Sequence, residues 1–313
     1  MKIILTDAKT VTQGDLSLDG LREFGEVEVN GLTAYEDIAE TVKDADAIIC
    51  NKTPLNGETL RLASHLKYIG LFATGYNNID TEYCRENGIT VCNAGSYSTD
   101  AVCQHTFALI LECFNRVGAY SSFVSDGGWK NSLTFSPFAF PLSELAGKTL
   151  GIVGFGSIGK AVARVAEAFN MRVLAYKRSP ENDPRLCDLD TLLKNSDIVT
   201  VHCPLNDESY RLFDRTAFEK MKDGAVFINT ARGAVMDEYA LADALKSGKL
   251  SYAGIDVLET EPMARDCPLC GIENCFVTPH IAWAPMETRE RLMGIVCDNL
   301  RSFIAGEPKN VVN

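Results

Sequence analysis

The sequence lacks a long apolar run and is short of basic residues. No stretch approaches the ~20 apolar residues of a membrane span, so a membrane segment is not predicted. Only 30 lysines and arginines stand against 42 aspartates and glutamates. The resulting net charge of −12 disfavours nucleic-acid and anionic-membrane partners. A Gly-x-Ser-x-Gly motif is also absent, so the serine nucleophile of α/β-hydrolases is not indicated.

The eleven cysteines occur without a secretory segment, so we expect reduced thiols and a cytoplasmic location. One cluster, Cys267, Cys270 and Cys275, has spacing that a metal or a redox pair could use. A zinc site needs four ligands, however, and the nearest histidine is His280. A surface loop before a strand explains the cluster better, and we predict no metal site.

Strand-like and helix-like patterns alternate along the chain, which predicts parallel sheets covered by helices on both faces. A length of 313 residues suits about two domains. Helical patterns in the first part cover 16–24, 34–43, 56–64, 80–87 and 97–118. The stretch 121–141 is irregular and aromatic, and a second series of strands and helices follows it.

The second series opens on Gly154-Phe155-Gly156-Ser157-Ile158-Gly159. An apolar strand pattern precedes these residues, and a helix and another strand follow, as the dinucleotide-binding fingerprint requires. Gly154 allows a tight turn, Gly156 allows close approach of a pyrophosphate, and Gly159 allows the helix to pack on the strand. The helix N-terminus then provides amide groups for the phosphates.

Polar residues follow the later strands. Arg232 comes after a strand and suits a carboxylate, although most arginines pair with a surface acid. Glu261 lies in an acidic turn that could equally be solvated, and His280 could equally be a buried structural histidine. His202 ends another strand, where it could simply begin a loop. Together, an arginine, an acid and a histidine beside a dinucleotide loop favour hydride transfer to a 2-oxo acid.

The sequence resembles the D-isomer-specific 2-hydroxyacid dehydrogenase family over essentially its whole length. The matching stretches are Ala73-Thr-Gly-Tyr-Asn-Asn-Ile-Asp80, Tyr97-Ser-Thr-Asp-Ala-Val-Cys-Gln-His-Thr106, the Gly154 loop, Asn229-Thr-Ala-Arg-Gly233 with Asp237-Glu238, Asp256-Val-Leu-Glu-Thr-Glu-Pro262, and Pro279-His-Ile-Ala-Trp-Ala284. Two of them, Tyr97-Ser-Thr and His280-Ile-Ala-Trp-Ala, are most similar to the glycerate dehydrogenase (hydroxypyruvate reductase) branch.

The resemblance implies a role for each residue of the site. Arg232 would bind the substrate carboxylate and polarise the 2-oxo group, His280 would exchange the proton, and Glu261 would support the imidazolium. The implied cofactor residues are Thr106, Gly154, Phe155, Gly156, Ser157, Ile158, Gly159, Lys177, Arg178, Ser179, His202, Cys203, Pro204, Thr230, Ala231, Arg232, Asp256 and His280. The substrate residues would be Leu55, Ala73, Thr74, Gly75, Tyr97, Arg232, His280 and Trp283, with Tyr76 as a further candidate for the pocket wall.

The resemblance also implies two Rossmann-like, doubly wound domains. A discontinuous, flavodoxin-like substrate domain would comprise 1–98 and 285–313. The dinucleotide-binding domain would comprise 99–284, with the active site in the cleft between the two. Most members of the family are homodimers, and 121–141 would be a natural contact in such a pair.

One segment departs from the commonest pattern of the family. Members that prefer NAD carry an acid at the end of the second Rossmann strand, where it accepts hydrogen bonds from the ribose. Here Lys177, Arg178 and Ser179 follow that strand. They could pair with a 2′-phosphate, or they could be exposed loop residues of an NAD enzyme. Of the two cofactors we favour NADP(H) over NAD.

The expected activity is reduction of a small 2-oxo acid, with hydroxypyruvate or glyoxylate first, to D-glycerate or glycolate, and the reverse. The alternatives are D-3-phosphoglycerate or D-lactate dehydrogenase, and a dinucleotide-sensing corepressor-like protein. The chain stops at Asn313 without the regulatory domain of many phosphoglycerate enzymes, and it shows no appended interaction tail. Both observations favour the reduction of a small 2-oxo acid over these alternatives.

Overall fold

The computed structural model describes residues 1–179 and 182–313. The chain forms two compact units, one of Met1–Ser98 with Trp283–Asn313 and one of Thr99–Ala282. The boundary predicted from the sequence lay two residues later, so Trp283 and Ala284 belong to the first unit. Within the described residues, none of the helices combines the length and the apolar character that a membrane crossing requires.

The first unit contains a five-stranded parallel sheet in the order β2-β1-β3-β4-β5. In chain order its elements are β1 (Lys2–Leu5), β2 (Glu26–Val29), α1 (Ile38–Thr41), β3 (Ala47–Cys50), β4 (Tyr68–Leu71), α2 (Thr81–Glu86) and β5 (Thr90–Cys92), with a C-terminal helix, Met286–Ile304. β3 and β4 are buried throughout, as expected of parallel strands covered on both faces.

The second unit contains a six-stranded parallel sheet in the order β11-β10-β9-β8-β6-β7. Its elements are α3 (Thr99–Asn115), α4 (Val117–Ser125), β6 (Thr149–Val153), α5 (Ser157–Ala168), β7 (Arg172–Tyr176), α6 (Leu189–Asn195), β8 (Ile198–Val201), α7 (Arg215–Lys220), β9 (Ala225–Asn229), α8 (Glu238–Lys246), β10 (Leu250–Ile255) and β11 (Cys275–Val277). Two apolar clusters pack on its faces, and Phe155, Phe213 and Phe227 are among their fully buried members.

In both sheets the strand order reverses at the first strand, because the second strand lies on one side of it and the third strand lies on the other. The order 2-1-3-4-5 of the first sheet is the flavodoxin-like order, and the second sheet begins in the same way from β6. The predicted fold class, two doubly wound parallel-sheet domains with a discontinuous first domain, is confirmed. Ligands of such sheets bind beyond the carboxyl ends of the strands at the reversal. In the second unit that point lies between β6 and β8.

Local structure differs from the sequence patterns in a few places. The predicted helix 56–64 is a series of turns, because Asn56 and Thr59 side chains bond to nearby backbone amides and compete with helical bonds. The predicted helix 97–118 ends at Asn115, since Arg116 adopts a left-handed conformation with φ of 50°. A second helix, α4, then occupies the beginning of the stretch that was expected to be irregular.

Candidate active site

The loop after β6 requires glycine at two positions. Gly154 has a φ of 100°, and a Cβ there would lie 2.4 Å from the backbone nitrogen of Cys203. A Cβ on Gly159 would lie 2.3 Å from the carbonyl oxygen of Gly154. At Gly156, in contrast, a Cβ would meet nothing within 4 Å. Gly154 and Gly159 are therefore required by the fold of the loop, whereas Gly156 borders open space.

That open space lies at the start of α5. Gly156 occupies the N-cap position and provides no side-chain hydrogen bond to the first turn, so the amides and the positive end of the helix dipole face outward. A cavity of about 270 Å³ lies here. Its lining includes Val153, Gly154, Phe155, Gly156, Tyr176, Lys177, Arg178, Ser179, His202, Cys203, Pro204 and Glu208. Anions bind well at such helix ends, so these residues fit a dinucleotide pyrophosphate.

His202 supplies a second indication of a ligand at this cavity. Its backbone N–H donates to Val153, and its Nε2 lies 3.0 Å from the hydroxyl of Thr200. Burial lowers the pKa of His202 to about 3, so the ring is neutral at neutral pH. Its Nδ1 is buried and has no hydrogen-bond partner in the described part of the chain. A buried polar atom without a partner is costly, and a bound ligand that reaches it would remove that cost.

The basic segment after β7 borders the same cavity. Arg178 donates from Nη1 to Oε2 of Glu208 at 2.7 Å, and both side chains are largely exposed. This pairing raises the pKa of Arg178, chiefly through the hydrogen bond. Glu208 is absent from the predicted site, because an acid in a turn carries no motif. The structure thus places an acid within reach of the segment that was expected to contact the ribose.

Arg232 is placed by the chain that follows β9. The amide side chain of Asn229, the last residue of β9, accepts from the N–H of Ala231 at 3.0 Å and donates to the carbonyl of Arg232 at 2.9 Å. At Gly233 a Cβ would lie 1.8 Å from the backbone carbon of Leu258. The loop that carries Arg232 is therefore pressed against the loop that follows β10, where only glycine fits.

His280 and Glu261 form a pair. His280 Nδ1 lies 2.7 Å from Glu261 Oε2, and the other carboxylate oxygen accepts from the N–H of Leu258 at 3.0 Å. A carboxylate can only accept hydrogen bonds, so the proton of this pair lies on Nδ1. Both side chains are partly exposed, which leaves Nε2 as the atom through which His280 can exchange a proton with a ligand.

The sheet brings these residues to one edge. Ile255, the last residue of β10, is in register with Asn229 of β9 and with Val277 of β11. Since all strands are parallel, Arg232, Glu261 and His280 follow the carboxyl ends of three neighbouring strands. The glycine loop and His202 follow the ends of β6 and β8 at the same edge. A site made of an anion cradle, an arginine and a histidine–carboxylate pair suits hydride and proton transfer to a carboxylate-bearing ligand.

Other predicted cofactor residues are buried below this edge. The hydroxyls of Thr106 and Thr230 lie 3.1 Å apart, and both residues are buried. Asp256 is 1% exposed, and both of its oxygens accept hydrogen bonds from the protein. Contacts of these three residues with a cofactor remain predictions.

In the first unit, one side chain occupies the space beyond β1 and β3, where the strand order reverses. The carboxylate of Asp7, beyond β1, accepts from the backbone N–H groups of Asn51, Lys52 and Thr53 at 2.6–3.1 Å. These amides, which follow β3, would otherwise be available to an anion. The first unit therefore occupies with its own carboxylate the place where the second unit leaves a cavity.

The loop after β4 contains the predicted substrate residues Ala73, Thr74 and Gly75. It is held by the loop after β5, since Ala73 accepts from the N–H of Ala94 at 2.9 Å and Thr74 accepts from Nδ2 of Asn93 at 2.8 Å. The remaining members lie elsewhere in the first unit. Leu55 is fully buried in one apolar cluster, while Tyr97 is buried and Trp283 is half-buried in another. Their contacts with substrate remain predictions.

All eleven cysteines are free thiols. Cys267 lies 3.8 Å from a carboxylate oxygen of Glu238, and Cys270 is exposed. Over residues 1–179 and 182–313, no three histidine, cysteine or acidic side chains are grouped so as to hold a metal ion.

Comparisons with known proteins agree with this arrangement. The sequence model of the D-isomer-specific 2-hydroxyacid dehydrogenase NAD-binding domain matches residues 107–282. A hydroxypyruvate reductase from Blautia hydrogenotrophica is 42% identical over the full length of both chains. A glycerate dehydrogenase from Methylorubrum extorquens is 39% identical over 99% of this chain and 98% of that protein.

A similar solved structure is that of an acyclic imino acid reductase in complex with NADPH and D-Arg. It has a TM-score of 0.89 and 32% sequence identity over the full length of both chains. The family model covers the glycine loop and all three strand-end residues. The chain therefore belongs to the D-isomer-specific 2-hydroxyacid dehydrogenase family, as an oxidoreductase with a nicotinamide dinucleotide cofactor, in the glycerate dehydrogenase and hydroxypyruvate reductase branch.

Proposed function

We propose that the protein reduces hydroxypyruvate or glyoxylate to D-glycerate or glycolate, and catalyses the reverse reaction. The observation that carries this proposal is the 2.7 Å pair of His280 and Glu261, which follow β11 and β10, with Arg232 after the neighbouring β9 at the same edge. The names of the two relatives support this choice of substrates. The free thiols support a cytoplasmic location.

A bound reduced nicotinamide supplies the hydride, and the chain supplies the rest. Arg232 binds the substrate carboxylate through its guanidinium fork and polarises the 2-oxo group. His280 gives a proton from Nε2 to the oxygen that becomes the hydroxyl, and takes it back in the reverse direction. Glu261 keeps the ring oriented through Nδ1 and stabilises the imidazolium while it carries both protons.

The function is tested by a screen of 2-oxo acids with both reduced cofactors. Hydroxypyruvate and glyoxylate should give the highest kcat/KM, ahead of pyruvate and 3-phosphohydroxypyruvate. Chiral analysis of the product from hydroxypyruvate should show the D isomer. A higher kcat/KM with pyruvate or with the phosphorylated acid would assign the chain to another activity of the family.

For the cofactor, we propose a preference for NADP(H). Lys177, Arg178 and Ser179 stand where an acid would accept bonds from the ribose of NAD, and they line the cavity with the glycine loop. The NADPH complex of the imino acid reductase supports this preference. Glu208 opposes it, because its carboxylate pairs with Arg178 and would repel a 2′-phosphate.

Charge changes at this segment should move the cofactor preference in opposite directions. Lys177→Asp with Arg178→Gln should lower the ratio of kcat/KM for NADPH over NADH by about tenfold or more, as two charge-assisted hydrogen bonds are lost at an exposed site. Glu208→Gln should raise the same ratio severalfold. Lys194→Gln, an exposed lysine that pairs with Asp190, should leave it unchanged. A wild-type enzyme that prefers NADH would contradict the proposed preference.

We also propose that the protein is a homodimer. The segment that follows α4 presents Leu133, Phe135 and Phe138 at 103%, 92% and 86% exposure, next to a half-exposed Trp129. Apolar side chains grouped in this way mark protein–protein contacts. Because the chain resembles a family whose members are mostly homodimers, we infer that a second copy of the chain covers these side chains.

Analytical ultracentrifugation should give the mass of two chains at micromolar concentration. Phe135→Ser with Phe138→Ser should shift the mass to that of one chain. Each substitution removes apolar area that a partner chain would bury, and the dimer loses that stabilisation. Tyr239→Ser, which changes another exposed aromatic residue, on α8, is the control and should leave the dimer intact. A wild-type monomer would refute the proposal.

A further inference from the structure

The segment that carries His280 is attached to a buried carboxylate that belongs to the preceding strand. Asp256 follows β10 directly and is 1% exposed. Its Oδ1 accepts from the hydroxyl of Thr278 at 2.6 Å and from the N–H of Ile281 at 2.9 Å. Its Oδ2 accepts from the N–H of Ala282 at 2.9 Å. One side chain thus holds residues on both sides of His280.

His280 itself is in an unusual backbone conformation. Its φ is 54°, in the left-handed region that residues other than glycine seldom adopt, and its N–H donates to the carbonyl of Asp256 at 2.7 Å. Such conformations persist only where the surroundings enforce them, and they are common at active sites. The direction of the His280 ring therefore depends on the bonds that Asp256 makes.

A second histidine completes this network from another element. His105 lies on α3, and its Nε2 is 2.9 Å from Oγ1 of Thr278 and 3.4 Å from Oδ1 of Asp256. α3 comes this close to the strand because Gly254 has no side chain: a Cβ there would lie 2.8 Å from Cβ of Leu109. His105 is one helical turn before Leu109, on the same face. The close packing of α3 against Gly254 thus places His105 near the end of β10.

The hydrogen-bond roles in this network follow from elementary chemistry. Burial alone would raise the pKa of Asp256, but the bonds from His105, Thr278 and the amides of Ala282 and Ile281 lower it overall. The ionised carboxylate can only accept, so the single hydroxyl proton of Thr278 goes to Asp256. Oγ1 of Thr278 must then accept from His105, whose proton lies on Nε2. The chain of donation runs from His105 through Thr278 to Asp256.

We propose that His105 is a positioning residue for the reaction: through Thr278 and Asp256 it fixes the segment 278–282, and thereby the direction in which His280 presents Nε2. This inference rests on the proposed role of His280 as proton donor. His105 touches neither the glycine loop nor the basic segment among the contacts described, so its effect should appear in the chemical step and not in cofactor affinity.

The test compares His105→Leu, which keeps the size and removes the donor, with His105→Gln, whose amide can donate from a similar position. His105→Leu should lower kcat for 2-oxo acid reduction about tenfold, with KM for the cofactor within twofold of wild type. The solvent deuterium isotope effect on kcat should rise, because proton transfer becomes slower. His105→Gln should restore most of the turnover and the wild-type isotope effect. Gln104→Leu, an exposed neighbour on the same helix, should behave as wild type.

Thr278→Val removes the hydroxyl that relays the bond, and it keeps the proposal testable if His105→Leu fails to fold. It should reproduce the loss of kcat, and combining it with His105→Gln should cancel the rescue. A folded His105→Leu with wild-type kcat and isotope effect would overturn the proposal. Equal losses in the leucine and glutamine variants would overturn it too, as would a loss confined to KM. His280→Ala in the same assay separates the two claims, since retained turnover there refutes the role of His280 itself.

Discussion

Replacing His280 by alanine is expected to lower kcat for 2-oxo acid reduction by roughly 10³-fold, within the 10²–10⁴ range that a positioned general acid contributes. The reason is that the carboxylate of Glu261 holds Nδ1 of His280 and leaves Nε2 as the atom that can give a proton to a ligand. Binding of the reduced cofactor, followed by its fluorescence, should stay within a few-fold of wild type. Steady-state rates at saturating cofactor measure the loss.

Glu261→Gln should also reduce kcat, by about 10²-fold. Glutamine can still accept from Nδ1, but it carries no charge to stabilise the imidazolium. Glu259→Gln is the matched control, because Glu259 lies in the same acidic turn and contacts Tyr210 and Arg211 instead. Near wild-type turnover of His280→Ala across the pH range would assign proton transfer to another group.

Arg232→Gln is expected to lower kcat/KM for the 2-oxo acid by roughly 10²- to 10⁴-fold. This range corresponds to two hydrogen bonds to a charged group, at about 1.5–3 kcal/mol each. Arg232→Lys should recover only part of the loss, because an ammonium group keeps the charge but lacks the fork that holds both carboxylate oxygens. The comparison of kcat/KM with wild type gives the effect in a single assay.

Arg215→Gln is the control for this series, since Arg215 is an exposed arginine that pairs with Asp243 on α8. It should leave kcat/KM unchanged. Thermal unfolding should also show that Arg232→Gln remains folded, because within residues 1–179 and 182–313 the side chain of Arg232 donates only to the neighbouring carbonyl of Ala231. A folded Arg232→Gln with wild-type kcat/KM would exclude Arg232 from substrate binding.

The fold could be predicted from the sequence where local patterns and the sheet agree. Buried parallel strands such as β3 and β4 consist of apolar residues throughout, and the glycine loop needs glycine for reasons that are visible in its spacing. Helices were less predictable. Residues 56–64 have a helical pattern, yet Asn56 and Thr59 bond to the nearby backbone, and such competition depends on the conformation that the chain finally adopts. The helix break at Arg116 was not predicted either, because neither position 116 nor its direct neighbours are glycine or proline.

The candidate site shows the same division. Arg232, Glu261 and His280 could be selected in advance because each follows a strand in a recognisable motif. Glu208 and His105 could not be selected as functional, because an acid in a turn and a histidine on a helix face are ordinary in sequence. Each acquires a meaning only from a partner far along the chain: Arg178 for Glu208, and Thr278 with Asp256 for His105.

The sequence by itself determined the class of fold, the family, the dinucleotide loop and the residue types available for hydride and proton transfer, because these depend on short-range order along the chain. The tertiary structure decided which atoms meet. It placed Glu261 on Nδ1 of His280, left Nδ1 of His202 without a partner among the described residues, and filled the reversal point of the first sheet with Asp7. It also joined His105 to Thr278, 173 positions further along the chain. Only the packing of strands and helices brings such residues within hydrogen-bonding distance.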